Sequence, residues 1–317
     1  MKKIIAHSEK LIRLEDLFMT ISVFFISVIF LSPCLTQAQD GKILSKEVFV
    51  LQDSLLHRIE TVDPAWASQL KSSVNFYRLT YLSDGLKVIA YMAEPKAKGK
   101  YPCIIANRGG NRDFGRWQPL SIANSLGKMA SWNYIVIASQ YRGVDGGEGI
   151  EEFGGKDVHD VLNLMPVLGQ LPEADTTRIG IEGGSRGGMM TYLALKQTCR
   201  FKAAVVRGGS ADDFRNIASR PEMETRVMAE LIPNYWNNKE KELKARSAVY
   251  WADEICKTTP LLIMHGSSDW RVLPEESMDL VQKLYQYKHP VRFILFEGAD
   301  HGLTEFNPER LRETKMF

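Results

Sequence analysis

The sequence predicts an α/β fold: a mostly parallel central sheet, helices on both faces and a small helical insertion. Three observations predict it. Short apolar runs alternate with helical segments through most of the chain, the rhythm of a parallel sheet with crossover helices. The runs are nearly continuous in apolar residues, as strands buried on both faces require. No internal repeat is visible, which argues against a propeller or solenoid.

The elements follow in order. Residues 39–72 are polar and mixed, with Leu51, Leu55, Leu56 and Ile59 at helical spacing, so a helical N-terminal extension is expected there. From Val74 the period falls to two. Val74, Phe76, Arg78 and Tyr81 lead into Ser83-Asp84-Gly85, a hairpin signal, and Lys87 to Ala93 returns as a second strand. Strands are then expected at Cys103–Ala106, Tyr134–Ala138, Arg178–Glu182, Ala203–Val206, Leu261–His265 and Val291–Phe296. Helices are expected at Ile122–Ser131, Val158–Leu168, Gly188–Gln197 and Glu275–Tyr287. Residues about 212–250 interrupt the rhythm, are helical in composition and are read as a cap beside the site. The main domain is thus 73–317.

The first 38 residues differ from the rest. Lys2, Lys3, Lys10 and Arg13 precede an uncharged apolar run from Leu17 to Leu35, and Thr36-Gln37-Ala38 follows with small residues. This is the pattern of a cleaved signal peptide, residues 1–38. Two other readings stand beside it. The run has the length of an uncleaved membrane anchor, and Cys34 offers a lipoprotein site, although Pro33 occupies a place that wants a small residue. Each of the three takes the main domain out of the cytoplasm, to the periplasm or beyond, and membrane contact is expected only if the segment stays attached.

Composition narrows the function. Apolar and charged fractions of 44% and 25% are those of an ordinary globular protein. Forty basic residues are interspersed with 38 acidic ones, with no Lys/Arg block of the kind that tracks phosphates, so nucleic acid is not an expected partner. The four cysteines show no C-x-x-C or Cys/His spacing, so no metal and no cofactor is expected. A Cys199–Cys256 disulfide is compatible with an oxidising compartment, but spacing alone does not establish it.

The chemistry is carried by three segments. Gly183-Gly184-Ser185-Arg186-Gly187-Gly188 fits G-x-S-x-G between a strand and a helix. Such an elbow strains the serine backbone and needs neighbours almost without side chains. It holds the hydroxyl above the sheet, with the Arg186 N–H facing a developing oxyanion. The partners arrive in the order this fold requires: Asp269 after His265-Gly266-Ser267-Ser268, then His301 after Glu297-Gly298-Ala299-Asp300. Both follow strands, so both reach the carboxyl edge of the sheet, where ligands collect in open α/β folds. A serine hydroxyl needs a base, and the base needs a carboxylate to fix its tautomer. The expected architecture is therefore an α/β-hydrolase fold with the triad Ser185, Asp269 and His301. Asp300 is a rival to Asp269, but adjacency points it away from His301.

The same segments resemble the catalytic domain of the prolyl oligopeptidase family of serine peptidases, which includes dipeptidyl and acylaminoacyl peptidases. Tyr81 to Val88, Asn107-Arg108-Gly109-Gly110, Tyr141-Arg142-Gly143, the Asp157-to-Asp160 helix start, Gly183–Gly188, His265 to Val272 and Asp300-His301-Gly302 carry the resemblance. It spans Val74 to about Phe306. It implies an acyl-enzyme hydrolase acting on peptides or acylated amino acids. A carboxylesterase using the same machinery on carbohydrate or small esters stays open. So does a catalytically inert binding module, which an intact triad argues against. Two departures stand out. Relatives carry a large N-terminal β-propeller, and here only residues 39–72 stand ahead of the domain. Where relatives often place an oxyanion-binding Tyr or His, this chain has Arg108. The second oxyanion donor is then either the Arg108 guanidinium or a backbone N–H of the turn, with Gly109 the candidate. Tyr141 and Phe214 are candidate pocket residues, with loop anchoring or core packing as their alternatives.

Overall fold

The computed structural model describes residues 39–317; the segment read as a signal lies outside them. Two antiparallel strands, β2 (Val74–Ser83) and β3 (Leu86–Pro95), form the expected hairpin. Asp84 and Gly85 turn it with φ of 51° and 76°, the left-handed pair of a type I′ turn, whose twist matches the strands. Ahead of the hairpin lies a difference from expectation. Residues 43–48 form strand β1 (Ile43–Val48), antiparallel to β2, before two helices, Asp53–Val62 and Pro64–Ser73. This edge strand carries Lys46 and Glu47 and is mostly exposed. Its apolar residues, Ile43, Leu44 and Val48, do not alternate with polar ones, so no period of two announces it, and charge suits an edge that must not recruit another strand.

The sheet continues with β4 (Tyr101–Asn107), β5 (Ile135–Ser139), β6 (Ala174–Gly184), β7 (Phe201–Arg207), β8 (Leu261–Gly266) and β9 (Val291–Phe296). Its order is β1-β2-β3-β5-β4-β6-β7-β8-β9. β3 meets β5 antiparallel, and every later pairing is parallel. The carboxyl ends of β4, β5, β6, β7, β8 and β9 therefore share one edge, and each is followed by a loop that reaches the site. β5 is buried at every position, as a strand covered on both faces must be. One face packs Ile105, Ile137, Ile181 and Val206 against Met189 and Leu193 of the helix Arg186–Gln197. The other packs Ala106, Val136 and Ala138 against Leu70, Ile122 and Leu126.

Between β7 and β8, residues 213–246 fold as consecutive helices, from Asp213–Ser219 to Tyr235–Arg246, with a π-helical turn at Glu224–Met228. A closing helix, Asn307–Met316, ends the chain. Cys199 and Cys256 are disulfide-bonded, with Cα atoms 5.4 Å apart, tying the end of the Arg186–Gln197 helix to the loop before β8. Among the described residues, no helix is long and apolar enough to cross a membrane.

Candidate active site

Ser185 sits where β6 turns into the helix Arg186–Gln197, with φ 57° and ψ −128°. Two glycines permit the turn. A side chain at Gly183 would run into the Gly187 carbonyl, and one at Gly187 into the carbonyls of Asn107 and Arg108. The strained serine is held by its N–H donating to the Arg207 carbonyl at 3.0 Å.

Asp269 and His301 meet at the ends of β8 and β9. His301 Nδ1–H donates to Asp269 Oδ2 at 2.7 Å; a carboxylate only accepts, so Nδ1 carries the proton. Asp269 Oδ1 accepts from the N–H groups of Arg271 and Val272 at 2.9 and 3.1 Å. Sequence reasoning placed no weight on His265, which is fully buried beneath the pair. Its Nε2 faces Asp269 Oδ2 at 3.1 Å and the Val272 carbonyl at 3.0 Å, so that nitrogen donates, and Nδ1 accepts from Ser277 Oγ at 2.7 Å. Burial pushes the Asp269 carboxyl up. The hydrogen bonds from His265, His301 and Val272 outweigh burial and hold it well below the usual carboxylate range. Asp300 instead accepts from the Gly302 and Thr304 N–H groups, closing its own turn. Gly208, at φ 47°, lies under the pair. A Cβ there would come within 3.1 Å of Asp269 Oδ2 and 3.4 Å of His301 Nδ1.

Ser185 and His301 line the same cavity, of about 250 Å³, with Phe114, Phe153 and Val272 among its walls. Gly109 adjoins Ser185: a Cβ on this residue would lie 3.2 Å from Ser185 Cβ and 3.7 Å from Ser185 Oγ, and the next residue, Gly110, lines the cavity. The Gly109 N–H has no hydrogen-bond partner among the described residues, and the Arg186 N–H opens its helix, where N–H groups lie beyond the helical ladder. Two backbone N–H donors thus adjoin Ser185, the kind of pair an oxyanion site uses.

The Arg108 guanidinium points the other way. It is buried and donates to the carbonyls of Gln140, Gly109, Phe114 and Arg112 at 3.0–3.3 Å. Burial and the neighbouring Arg186 pull its pKa down to about 10, leaving it charged at neutral pH. The structure therefore corrects the reading of this side chain as an oxyanion donor: it pins the turn that presents Gly109. Arg186 does likewise from the opposite side, donating to Gly110 O at 3.0 Å and Glu151 Oε2 at 2.6 Å and pairing with Asp157. Two arginines and two carboxylates balance inside the protein, satisfying a condition that buried charge imposes. Glu151 and Asp157 are the partners that sequence reasoning missed.

Tyr141 and Phe214 are corrected as well. Tyr141 is fully buried, at φ 63°, and its hydroxyl donates to the Arg108 carbonyl at 3.1 Å. Its ring stacks on the guanidinium groups of Arg108 and Arg186, 4.9 and 4.8 Å from its centroid. It touches no substrate space; it braces the loop. Phe214 follows the helix N-cap Asp212, whose side chain accepts from the Phe214 N–H. This turns the ring onto Tyr250, centroids 5.5 Å apart, and away from the cavity.

Arg108→Ala is accordingly expected to lower Tm before anything else. It leaves the carbonyls of Gln140, Gly109, Phe114 and Arg112 without this donor and Glu151 with Arg186 as its remaining arginine, a loss of about 3–5 kcal/mol for removing one member of a buried charge cluster. A kcat loss of roughly 10²–10³-fold at unchanged Tm, the size expected for a true oxyanion donor, would return the guanidinium to the oxyanion.

A serine on a strained strand-to-helix elbow, beside a buried Asp–His pair at the carboxyl edge of a largely parallel sheet, defines a serine hydrolase of α/β-hydrolase fold. Comparison with known proteins specifies it further. Residues 121–317 match the model of the prolyl oligopeptidase family, the peptidase family S9, and the chain belongs to that family. It is 33% identical over 229 residues to YtmA, an uncharacterized peptidase of Bacillus subtilis (strain 168), covering 72% of this chain and 86% of that one. It is 25% identical to the acylaminoacyl peptidase of Pyrococcus horikoshii, with a TM-score of 0.64 over 77% of this chain and 41% of that one. The chain spans 36% and 34% of two further curated relatives. An acetyl xylan esterase from Paenibacillus sp. R4 shares the fold at 18% identity, with a TM-score of 0.62 over 87% and 89% of the two chains. Among the described residues no cluster of His, Cys, Asp and Glu is placed to hold a metal ion.

Proposed function

We propose that this protein is an exported serine peptidase that cleaves short peptides or acylated amino acids through an acyl-enzyme. One observation carries the reading: the His301–Asp269 pair, closed at 2.7 Å, opens onto the same cavity as Ser185. Ser185 Oγ attacks the scissile carbonyl carbon while His301 Nε2 takes its proton. The Nδ1–H bond to Asp269 fixes that tautomer and stabilises the imidazolium. The oxyanion forms between the N–H groups of Arg186 and Gly109. His301 then returns the proton to the leaving amine, and water repeats the sequence on the ester formed at Ser185.

The family and the peptidase relatives support a peptide substrate. The test is a parallel panel of aminoacyl-naphthylamides, acetyl-aminoacyl-naphthylamides and acetylated sugars on the mature chain. Peptidase action predicts that kcat/KM on an amide exceeds that on every sugar ester. Release of acetate from sugars with no amide cleaved would give the site to a carboxylesterase.

Export is supported by the basic start, the apolar run and the small residues ending at Ala38. The Cys199–Cys256 disulfide adds to it, since such bonds persist where the environment is oxidising. Mass spectrometry should find a mature N-terminus near Gln39 in the extracytoplasmic fraction. Without reductant, the denatured mature chain should alkylate only at Cys103. An intact Met1 on cytoplasmic protein with four reactive thiols would contradict this; an intact Met1 in the membrane fraction would favour an anchor.

A further inference from the structure

Arginines crowd the mouth of the cavity that Ser185 and His301 line. Arg220, Arg226 and Arg271 all reach it, against a single carboxylate, Glu222. Glu222 is engaged: its Oε1 accepts from Arg220 Nε at 3.3 Å, and Arg220 Nη1 donates to the Arg271 carbonyl at 3.1 Å. The other acids of the β7–β8 insertion are engaged too. Glu224 accepts from Tyr235 at 2.8 Å and pairs with Lys239 at 2.5 Å, and Glu230 pairs with Arg112 at 2.5 Å. The π-helical turn Glu224–Met228 buries Val227 and leaves Arg226 exposed. Among the described residues the Arg226 guanidinium has no carboxylate and no hydrogen-bond acceptor. The same holds for Arg271, whose guanidinium lies 5.3 Å from the exposed ring of Trp270.

Two unpaired guanidinium groups on a small, half-enclosed cavity make a positive field that walls of low dielectric concentrate. A guanidinium offers parallel N–H donors that match the two oxygens of a carboxylate. Phe114, Phe153, Met223, Val227 and Val272 give the cavity apolar wall that suits a short uncharged stem, beside the polar Asn111, Ser210 and Asn216. We propose that the site selects substrates carrying a carboxylate a few atoms from the scissile bond, and that Arg226, with Arg271 beside it, receives that carboxylate. This rests on Ser185 being the nucleophile of a hydrolase. It adds a substrate class, acidic acyl-amino acids or short peptides with an anionic end, and a specificity residue on the insertion.

The experiment separates the two levels. Fluorophosphonate labelling of the mature chain is followed in time with three competing ligands: acetyl-Ala-Ala as the free acid, the same as its amide, and acetyl-Ala-Asp-amide. Protection from labelling reads occupancy whether or not the ligand is cleaved. The free acid or the Asp ligand should protect at a concentration roughly tenfold or more below the amide, the scale of one hydrogen bond to a charged group. Protection by the free acid assigns a terminal carboxylate, and protection by the Asp ligand an acidic side chain. Added salt should shrink the advantage. Arg226→Gln should bring the acid-to-amide ratio close to one, and Arg226→Glu should invert it. Labelling that proceeds normally while both carboxylate ligands protect no better than the amide overturns the proposal. A wild-type chain that does not label overturns the reading beneath it, and the proposal falls with it.

Discussion

Ser185→Ala is expected to lower kcat by on the order of 10⁴-fold or more while the protein folds as before. The reason lies in the elbow. The hydroxyl is held over the cavity by a backbone at φ 57° that the packing of Gly183 and Gly187 against their neighbours enforces. Alanine keeps Cβ and so keeps that packing; only Oγ is lost. Without Oγ no acyl-enzyme forms. What remains is the catalysis two N–H donors lend to a water attacking the bound carbonyl. Steady-state kinetics on the best panel substrate, with Tm as a control, measure the effect. A loss below about tenfold would mean that another nucleophile does the work.

Asp269→Asn should cost a similar amount in kcat, on the order of 10⁴-fold, with KM little changed. Oδ1 of Asp269 already receives two fixed backbone donors, the N–H groups of Arg271 and Val272. An asparagine must keep its carbonyl oxygen there and turn its NH₂ toward His301. The imidazole then presents Nδ1 as acceptor and carries its proton on Nε2, the nitrogen that must be free to act as a base. His265 cannot compensate, since its Nε2 proton is shared with the Val272 carbonyl. The stability profile should also change. A carboxyl held below its usual range stabilises the fold above its ordinary pKa near 3.9, and that stabilisation fades as pH falls below it. The asparagine variant should therefore lose less Tm on acidification than wild type does. A mild kinetic effect with an unchanged acid profile would move the role to Asp300, despite its turn.

Much of this arrangement was legible in the sequence because it is local. Strands β4 to β9 are short apolar runs followed by Gly-rich loops, and the residues that carry chemistry sit within a few positions of each strand end. Ser185, Asp269 and His301 could be read for that reason. What was not legible is what joins distant segments. Glu151 and Asp157 meet Arg186 across 35 and 29 residues, and no spacing rule announces such pairs. His265 was visible only as part of a motif; its value lies in a hydrogen-bond set completed by Ser277, on the next helix. Tyr141 and Phe214 were candidate pocket residues with loop anchoring or core packing as alternatives, and sequence alone could not choose between them. One is drawn inward by two guanidinium groups, and the other is turned away by its own helix cap. The edge strand β1 was missed because its apolar residues, Ile43, Leu44 and Val48, do not alternate with polar ones, and the closing helix Asn307–Met316 because it is largely polar. They are held by pairing with β2 and by Phe306 and Phe317 packing near Phe296, not by a periodic apolar face.

The most direct test of the central claim is to treat the purified protein with a fluorophosphonate probe, digest it and locate the adduct by mass spectrometry. The account predicts stoichiometric modification on the peptide containing Ser185 and none on Ser185→Ala. An adduct on any other residue, or labelling that survives in Ser185→Ala, would contradict it.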